Sequence, residues 1–379
     1  MRTAGLLVVL LLPSFGLSAC TPDAPSEAEP DAVPASVAVP DSARLWAVTL
    51  DAREPPAASD LDRLAALGAT HITLVPFGFQ RTATTPRIRL NTDAGWYSES
   101  DRGIRTLTRQ AARRGMGLVL KPHLWVGSYD TEGQPRDAIG FATEADWQRW
   151  EASYTRFLMH YARLAHTMGA DVLVVGTELA RTARERPAFW RELIRRVRTV
   201  YAGQLTYAAN WYDEYESVPF WDVLDYIGVQ AYFPLSDAAH PSTKALVQGW
   251  NPHVRALRTL AAQVERPVLF TELGYRSART AAAEPWVWPE GDADASAATA
   301  SADALQLQAR LYRAFFARFA EADWLAGAAF WKWHPAHSAD RPHGFTPQNK
   351  PAEAVIRRAL RTMPDVLHAP DERHNKSDR

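Results

Sequence analysis

Val172-Leu173-Val174-Val175-Gly176-Thr177-Glu178 is an unbroken apolar run of strand length that ends on an acid. A strand that is apolar at every position, rather than at every second one, is buried on both faces and needs helices to cover it. Val268-Leu269-Phe270-Thr271-Glu272 repeats the pattern later in the chain, again with a glutamate directly after the run.

Six further runs of the same kind surround these two. Leu45–Leu50 precedes a helical pattern over 59–67, His71–Val75 one over 101–114, and Gly117–Lys121 one over 144–168. After Val172–Gly176 the helical period runs over 187–201, whereas Leu205–Ala209 leads only to a short segment at 218–223. Tyr226–Gln230 precedes a helix over 243–264, Val268–Thr271 a long loop and a helix over 303–320, and Ala326–Trp331 a helix over 351–361. Eight strand–helix pairs of this length predict a single α/β domain folded as a (β/α)8 TIM barrel, spanning 42–364. The alternative is an open doubly wound sheet, but no Gly-x-Gly-x-x-Gly turn follows the first strand.

The chain has 379 residues, 42 basic and 43 acidic side chains and one cysteine. A formal charge of −1 leaves no basic surplus for nucleic acid. One cysteine cannot close an internal disulfide. That cysteine, Cys20, follows Arg2, the apolar run Leu6–Leu12 and Leu17-Ser18-Ala19, which together resemble the lipobox of bacterial lipoprotein signals. The resemblance implies cleavage after residue 19, lipidation of Cys20 and a bacterial cell-envelope location, at the outer membrane in a Gram-negative host. Residues 20–41, rich in Pro, Ala, Asp, Glu and Ser, read as a disordered tether, and 365–379 as a polar tail.

In a barrel of this kind chemistry gathers at the C-terminal ends of the strands. Glu178 and Glu272 end the fourth and seventh strands, which face each other across the mouth. Two carboxylates about 5 Å apart suit retaining glycoside hydrolysis, one as general acid and base, the other as nucleophile.

At these residues the sequence resembles the clan A glycoside hydrolases, and within them glycoside hydrolase family 113, a family associated with β-mannanase activity. The resemblance covers about residues 44–362 and rests on Gly176-Thr177-Glu178-Leu179, Thr271-Glu272-Leu273-Gly274-Tyr275, Phe330-Trp331-Lys332-Trp333, Gly344-Phe345-Thr346-Pro347 and Lys350-Pro351-Ala352. It implies that Glu178 is the acid/base and Glu272 the nucleophile. Many clan members carry Asn before the acid/base, in contact with the sugar 2-hydroxyl; Thr177 stands there in this chain. Tyr232 resembles the tyrosine that donates to the nucleophile in this clan.

Other strand-end residues extend the candidate sugar site. Lys121, His123 and Trp125 follow strand three, Lys121 or His123 being placed to bond sugar hydroxyls or to tune Glu178. Asn210 and Trp211 follow strand five, Tyr275 strand seven, and Trp331 and Trp333 strand eight. An indole covers the C–H face of a pyranose and leaves its hydroxyls to polar partners. Of the 14 tryptophans, Trp46, Trp125, Trp211, Trp331 and Trp333 fall at strand ends, and Trp96, Trp286 and Trp288 in loops. The remaining six lie on or beside helices and read as packing residues. The loop over 276–302 is long enough to be functional, and its tryptophan half is placed to close over a sugar.

Competing chemistries lack support. There is no Gly-x-Ser-x-Gly elbow and no phosphate-cradling Gly-rich loop. His334, His337 and His343 lack the spacing of a zinc site. The residues and the resemblance together lead us to expect a monomeric, cofactor-free and metal-free retaining β-glycoside hydrolase, and the resemblance implies β-1,4-mannan or manno-oligosaccharides as its substrate. Two alternatives stay open: a same-fold hydrolase of another β-glycan, such as a β-glucan or a cell-envelope glycan, and a non-catalytic carbohydrate-binding lipoprotein.

Overall fold

In a computed structural model of the chain, eight parallel strands close into a barrel. They are β1 (Leu45–Leu50), β2 (His71–Leu74), β5 (Gly117–Leu120), β7 (Val172–Thr177), β8 (Gln204–Asn210), β9 (Tyr226–Gln230), β10 (Val268–Leu273) and β11 (Leu325–Trp333). The hydrogen-bonded order is β1-β11-β10-β9-β8-β7-β5-β2, and β1 pairs with both β11 and β2 to complete the ring. The structure describes residues 44–90, 92, 95–127, 134–287, 300–335 and 342–362. The expected signal, Cys20, the tether and the polar tail lie outside the described residues, as do Trp288 and His337.

The helices are α1 (Ala58–Leu67), α2 (Asp101–Ala112), α3 (Glu144–Met168), α4 (Ala180–Glu185), α5 (Pro187–Arg198), α6 (Thr243–Val264), α7 (Ala302–Phe319) and α8 (Pro351–Thr362). Their starts follow from local chemistry. Ser100, Thr143, Ser242 and Ser301 each accept a backbone N–H of the first turn into a side-chain oxygen, capping α2, α3, α6 and α7. Gly68 and Gly169 take the left-handed conformation that ends α1 and α3. Among the described residues no α-helix follows β8; the short 3₁₀ turn Trp221–Val223 stands there, as the weak pattern at 218–223 predicted.

Burial divides the apolar residues into layers. Leu45, Ala47, Val119, Val172, Val174, Ala208, Leu269, Ala326 and Ala329 fill the inside of the barrel. A larger cluster lies between the barrel and its helices and includes Ile72, Leu118, Leu173, Val175, Phe270 and Phe330. The alternation along each strand is that of a sheet with two buried faces.

A second, three-stranded sheet was not expected from the sequence. It consists of β3 (Phe77–Gln80), β4 (Ile88–Leu90) and β6 (His123–Val126), in the order β4-β3-β6. Leu74 pairs with Leu120 below the break and Phe77 with His123 above it, so Pro76 lies opposite Pro122. Proline has no N–H to give to a ladder. The two neighbouring strands therefore leave the barrel at one level, still linked by bonds from Lys121 N to Leu74 O (2.9 Å) and His123 N to Pro76 O (2.8 Å). Above the prolines the pair continues as one wall of the mouth.

Candidate active site

The glutamates reach the mouth through irregular strand ends. The pairing of β7 with β8 shifts register between Val174 and Thr177, and Glu178 takes a left-handed backbone with φ of 53°. The pairing of β10 with β9 shifts between Phe270 and Glu272. A regular strand would send Thr271 and Glu272 to opposite faces. With the shift both point inward: Thr271 Oγ1 donates to Gln230 Oε1 at 3.1 Å, and Glu272 reaches the cleft floor. Bulges are a common device for re-aiming a functional side chain.

Glu272 is 3% exposed and holds two donors. Lys121 Nζ meets Oε1 at 2.7 Å, and Tyr232 OH meets Oε2 at 2.6 Å. Lys121 is fully buried, and its ammonium also donates to Gln230 Oε1 at 2.7 Å and Thr271 O at 3.2 Å. Burial pulls Lys121 below its ordinary range, and the Glu272 carboxylate opposes that shift. Tyr232 is pushed well above its ordinary range by burial first and by Glu272 second, so it keeps its proton and remains a donor. His123 Nε2 is 3.9 Å from Glu272 Oε1, and its ring is held neutral by burial and by the charges of Lys121, Arg136 and Lys332.

Glu178 is 4% exposed and lies in a different setting. Its Oε1 accepts from Gln230 Nε2 at 3.3 Å, and its Oε2 pairs closely with Arg136 Nη2. Its backbone is secured by Glu178 N to Ala208 O at 2.9 Å and by Leu179 N donating to Tyr207 OH at 2.6 Å. Tyr207 OH in turn donates to Glu214 Oε1 at 2.5 Å, and Asn210 N donates to Glu214 Oε2 at 2.7 Å. Burial pushes Glu214 up to about 7, with the bonds from Asn210 and Tyr207 opposing it.

The two glutamates face neighbouring parts of the mouth, one at each end of a cleft wall shared through Trp125 and Arg136. The Glu272 end, about 580 Å³, is lined by Asp51, Phe77, Trp96, Glu99, His123 and Trp331 among others. The Glu178 end, about 430 Å³, is lined by Leu124, Asp137, Asn210 and Tyr212 among others. Trp125 and Arg136 line both, so the two spaces adjoin at these side chains. Trp331, at 8% exposed, packs with Val75, Tyr232 and Phe345 beneath the opening. At the far side Lys332 pairs with Asp51, and burial, reinforced by Asp51, pushes Glu99 up to about 8. The turn between β3 and β4 touches the Arg136 segment: Ala83 N donates to Gln134 Oε1 at 3.4 Å and Gly140 N to Ala83 O at 3.2 Å.

Most of the sequence-predicted residues converge on this cleft, but four are placed otherwise. Lys121 lines neither end; it bonds Glu272 from below and reaches Glu178 only through Gln230. Tyr275 is fully buried, edge-on to Tyr312 at 5.2 Å, between the barrel and α7. Trp333 is fully buried on the outer face of β11, under Arg63, because the β1–β11 ladder shifts register between Val48 and Leu50. Thr177 is buried beside Glu178 and is not among the cleft-lining residues. Trp46, grouped with the strand-end indoles, is core, stacked on Phe330 at 6.1 Å. Trp211 lies at the rim stacked on Trp286 at 4.9 Å, which brings that one tryptophan of the loop after β10 to the mouth.

Two residues that bond Glu178 were not predicted. Gln230 was visible only as the residue ending strand six, and Arg136 starts a single 3₁₀ turn, Arg136–Ala138, that no pattern marks.

Two acids at the ends of the fourth and seventh strands of a closed barrel are the arrangement expected of a glycosidase, and sequence comparison agrees. The profile of Glycoside Hydrolase Family 113 matches residues 47–350. The chain belongs to glycoside hydrolase family 113. It is a glycoside hydrolase, acting on O-glycosyl bonds.

Among solved structures, a GH113 β-mannanase from Alicyclobacillus acidocaldarius, in complex with ManMIm, is 27% identical with a TM-score of 0.71. The match covers 87% of this chain and all of that one. A GH113 β-1,4-mannanase solved as a complex is 23% identical with a TM-score of 0.69, covering 84% of this chain and 99% of that one, a likeness of fold. A GH5_18 protein from Streptomyces cattleya in complex with GlcNAc shares the fold more distantly, at 14% identity and a TM-score of 0.52, over 84% of this chain and 80% of that one. No curated protein matches the chain.

Proposed function

We propose that this family 113 member hydrolyses β-1,4-mannan or manno-oligosaccharides with retention of configuration, Glu272 acting as nucleophile and Glu178 as acid/base. The observation that carries the reading is the unequal treatment of two buried carboxylates at one barrel mouth. Glu272 is fixed through both oxygens by Lys121 and Tyr232, as a nucleophile needs. Among the described residues, Glu178 meets a guanidinium that lines the open cleft and a single side-chain amide N–H. The mannan preference is supported by the family relatives solved as β-mannanases.

In the first step a carboxylate oxygen of Glu272 attacks the anomeric carbon, and the bond to the leaving oxygen breaks as that oxygen takes a proton from Glu178. In the second step water attacks the same carbon, its proton goes to Glu178, and the sugar–Glu272 bond returns its electron pair to Glu272. Trp331 supplies a flat apolar surface for the sugar ring at the Glu272 end.

The test is incubation of the protein with β-mannan, glucomannan and β-glucan oligosaccharides, with product masses and proton NMR of the first-formed anomer. β-Configured manno-oligosaccharide products are expected. Glu272→Ala should lose orders of magnitude in rate, and azide should then give the inverted glycosyl azide. Near-wild-type hydrolysis by Glu272→Ala sinks the assignment.

The proposal extends to location: a lipid on Cys20 and a tether over 20–41 would hold the enzyme at the bacterial cell envelope. Labelling with a palmitate analogue that disappears in Cys20→Ala supports it; a label that persists in the variant rejects it.

A further inference from the structure

The two candidate carboxylates are joined by an unbroken buried chain of polar atoms. Glu272 Oε1 meets Lys121 Nζ at 2.7 Å, Lys121 Nζ meets Gln230 Oε1 at 2.7 Å, and Gln230 Nε2 meets Glu178 Oε1 at 3.3 Å. Gln230 is 1% exposed. Its orientation is fixed, since its oxygen accepts from both the Lys121 ammonium and Thr271 Oγ1 at 3.1 Å. The amide N–H₂ is thereby directed at Glu178. A glutamine turned the other way would set its N–H₂ against an ammonium.

We infer that Gln230 is a positioning residue that reports the state of the nucleophile to the acid/base, helping Glu178 change from proton donor to proton acceptor between the two half-reactions. This rests on the double-displacement reading above.

The physical argument follows the charge on Glu272. In the free enzyme the Lys121 ammonium is balanced by the Glu272 carboxylate. Once Glu272 is esterified to sugar it carries no net charge, and the buried ammonium keeps Gln230 Oε1 as a strong acceptor. Hydrogen bonds in a chain polarise one another, and more so at low dielectric. The Gln230 N–H₂ then becomes a better donor to Glu178 at the stage when Glu178 must be ionised to accept the proton of the attacking water. In the first step, where Glu178 must give its proton away, the same ammonium is neutralised and the pull is weaker. Arg136 on Glu178 Oε2 acts from the cleft side and is independent of this chain.

Two variants separate this role from general packing. Gln230→Met keeps the length of the side chain and removes both contacts. Gln230→Glu keeps an acceptor for Lys121 and replaces only the donor facing Glu178. Both are assayed in the full chain on the 2,4-dinitrophenyl β-glycoside of the sugar identified by the oligosaccharide panel. That leaving group departs without a proton, so kcat reports the second step and kcat/KM the first.

Each variant should lower kcat about tenfold, the lower end of what one hydrogen bond to a charged group is worth, as suits a long contact, and leave kcat/KM nearly unchanged. Azide, which attacks the glycosyl-enzyme without needing a base, should restore turnover and yield the β-glycosyl azide. Equal falls in kcat and kcat/KM, no fall in kcat, or a fall that azide does not relieve would each overturn the inference. Should the methionine variant not fold, the glutamate variant alone decides. A wild-type protein without turnover on the glycoside and the oligosaccharides alike indicts the proposed function instead.

Discussion

Replacing Tyr232 by phenylalanine removes one buried oxygen atom from beside Glu272 and leaves the ring packed on Phe345, 5.8 Å away between centroids. The lost contact is the 2.6 Å bond to Glu272 Oε2, made where both residues are 3% exposed and water cannot replace it. A hydrogen bond to a charged group contributes about 1.5–3 kcal/mol. At about 1.36 kcal/mol per factor of ten, kcat should fall roughly 10- to 150-fold. In the proposed mechanism the loss belongs in the step where Glu272 leaves the sugar and regains its charge. Lys121 still holds Oε1 at 2.7 Å, so the fall should stay well short of that for Glu272→Ala. The assay is hydrolysis of manno-oligosaccharides by the purified variant, with thermal melting to confirm that the fold is retained. A well-folded Tyr232→Phe protein within threefold of wild type would refute the role given to the hydroxyl.

Two further expectations concern stability. Glu214, 2% exposed, is shifted from 4.5 to about 7, so between those values the folded chain holds a proton the unfolded chain has lost. Stability from this group is present below about 4.5 and is lost as pH rises through about 7, a difference of about 3 kcal/mol. Glu214→Gln has no such proton, so urea denaturation should show the variant gaining on wild type by that amount between pH 4 and 8; parallel profiles reject the account. Lys121→Met leaves the Glu272 carboxylate buried without its cation, at a cost of about 3–5 kcal/mol. Adding Glu272→Gln should recover most of it, and a single variant as stable as wild type contradicts the pairing.

The barrel was legible because its signals are local. α3 and α6 have the bounds read from the sequence, since each couples a 3.6-residue apolar period to a serine or threonine cap. The second sheet was missed because β4 has three residues, and β3 and β6 resemble continuations of the strands beneath them. Glu178 and Glu272 stood out as acids after apolar runs. Gln230 did not, because its meaning comes from Lys121, 109 residues away, and Glu178, 52 residues away. Tyr275 and Trp333 were over-read for the opposite reason: a strand-end position does not say which face a side chain takes once the ladder shifts register.

The facing prolines, Pro76 and Pro122, make one pair of strands serve two purposes. Below them the pair is barrel; above them it is a wall whose outer turn rests on the segment carrying Arg136. An insertion between Gln80 and Ile88 would therefore do more than lengthen the groove, since it would also lean on the guanidinium beside Glu178. Engineering this protein for longer or branched glycans by grafting that turn carries a built-in trade: reach for substrate and the setting of Glu178, the proposed acid, are adjusted by the same lever.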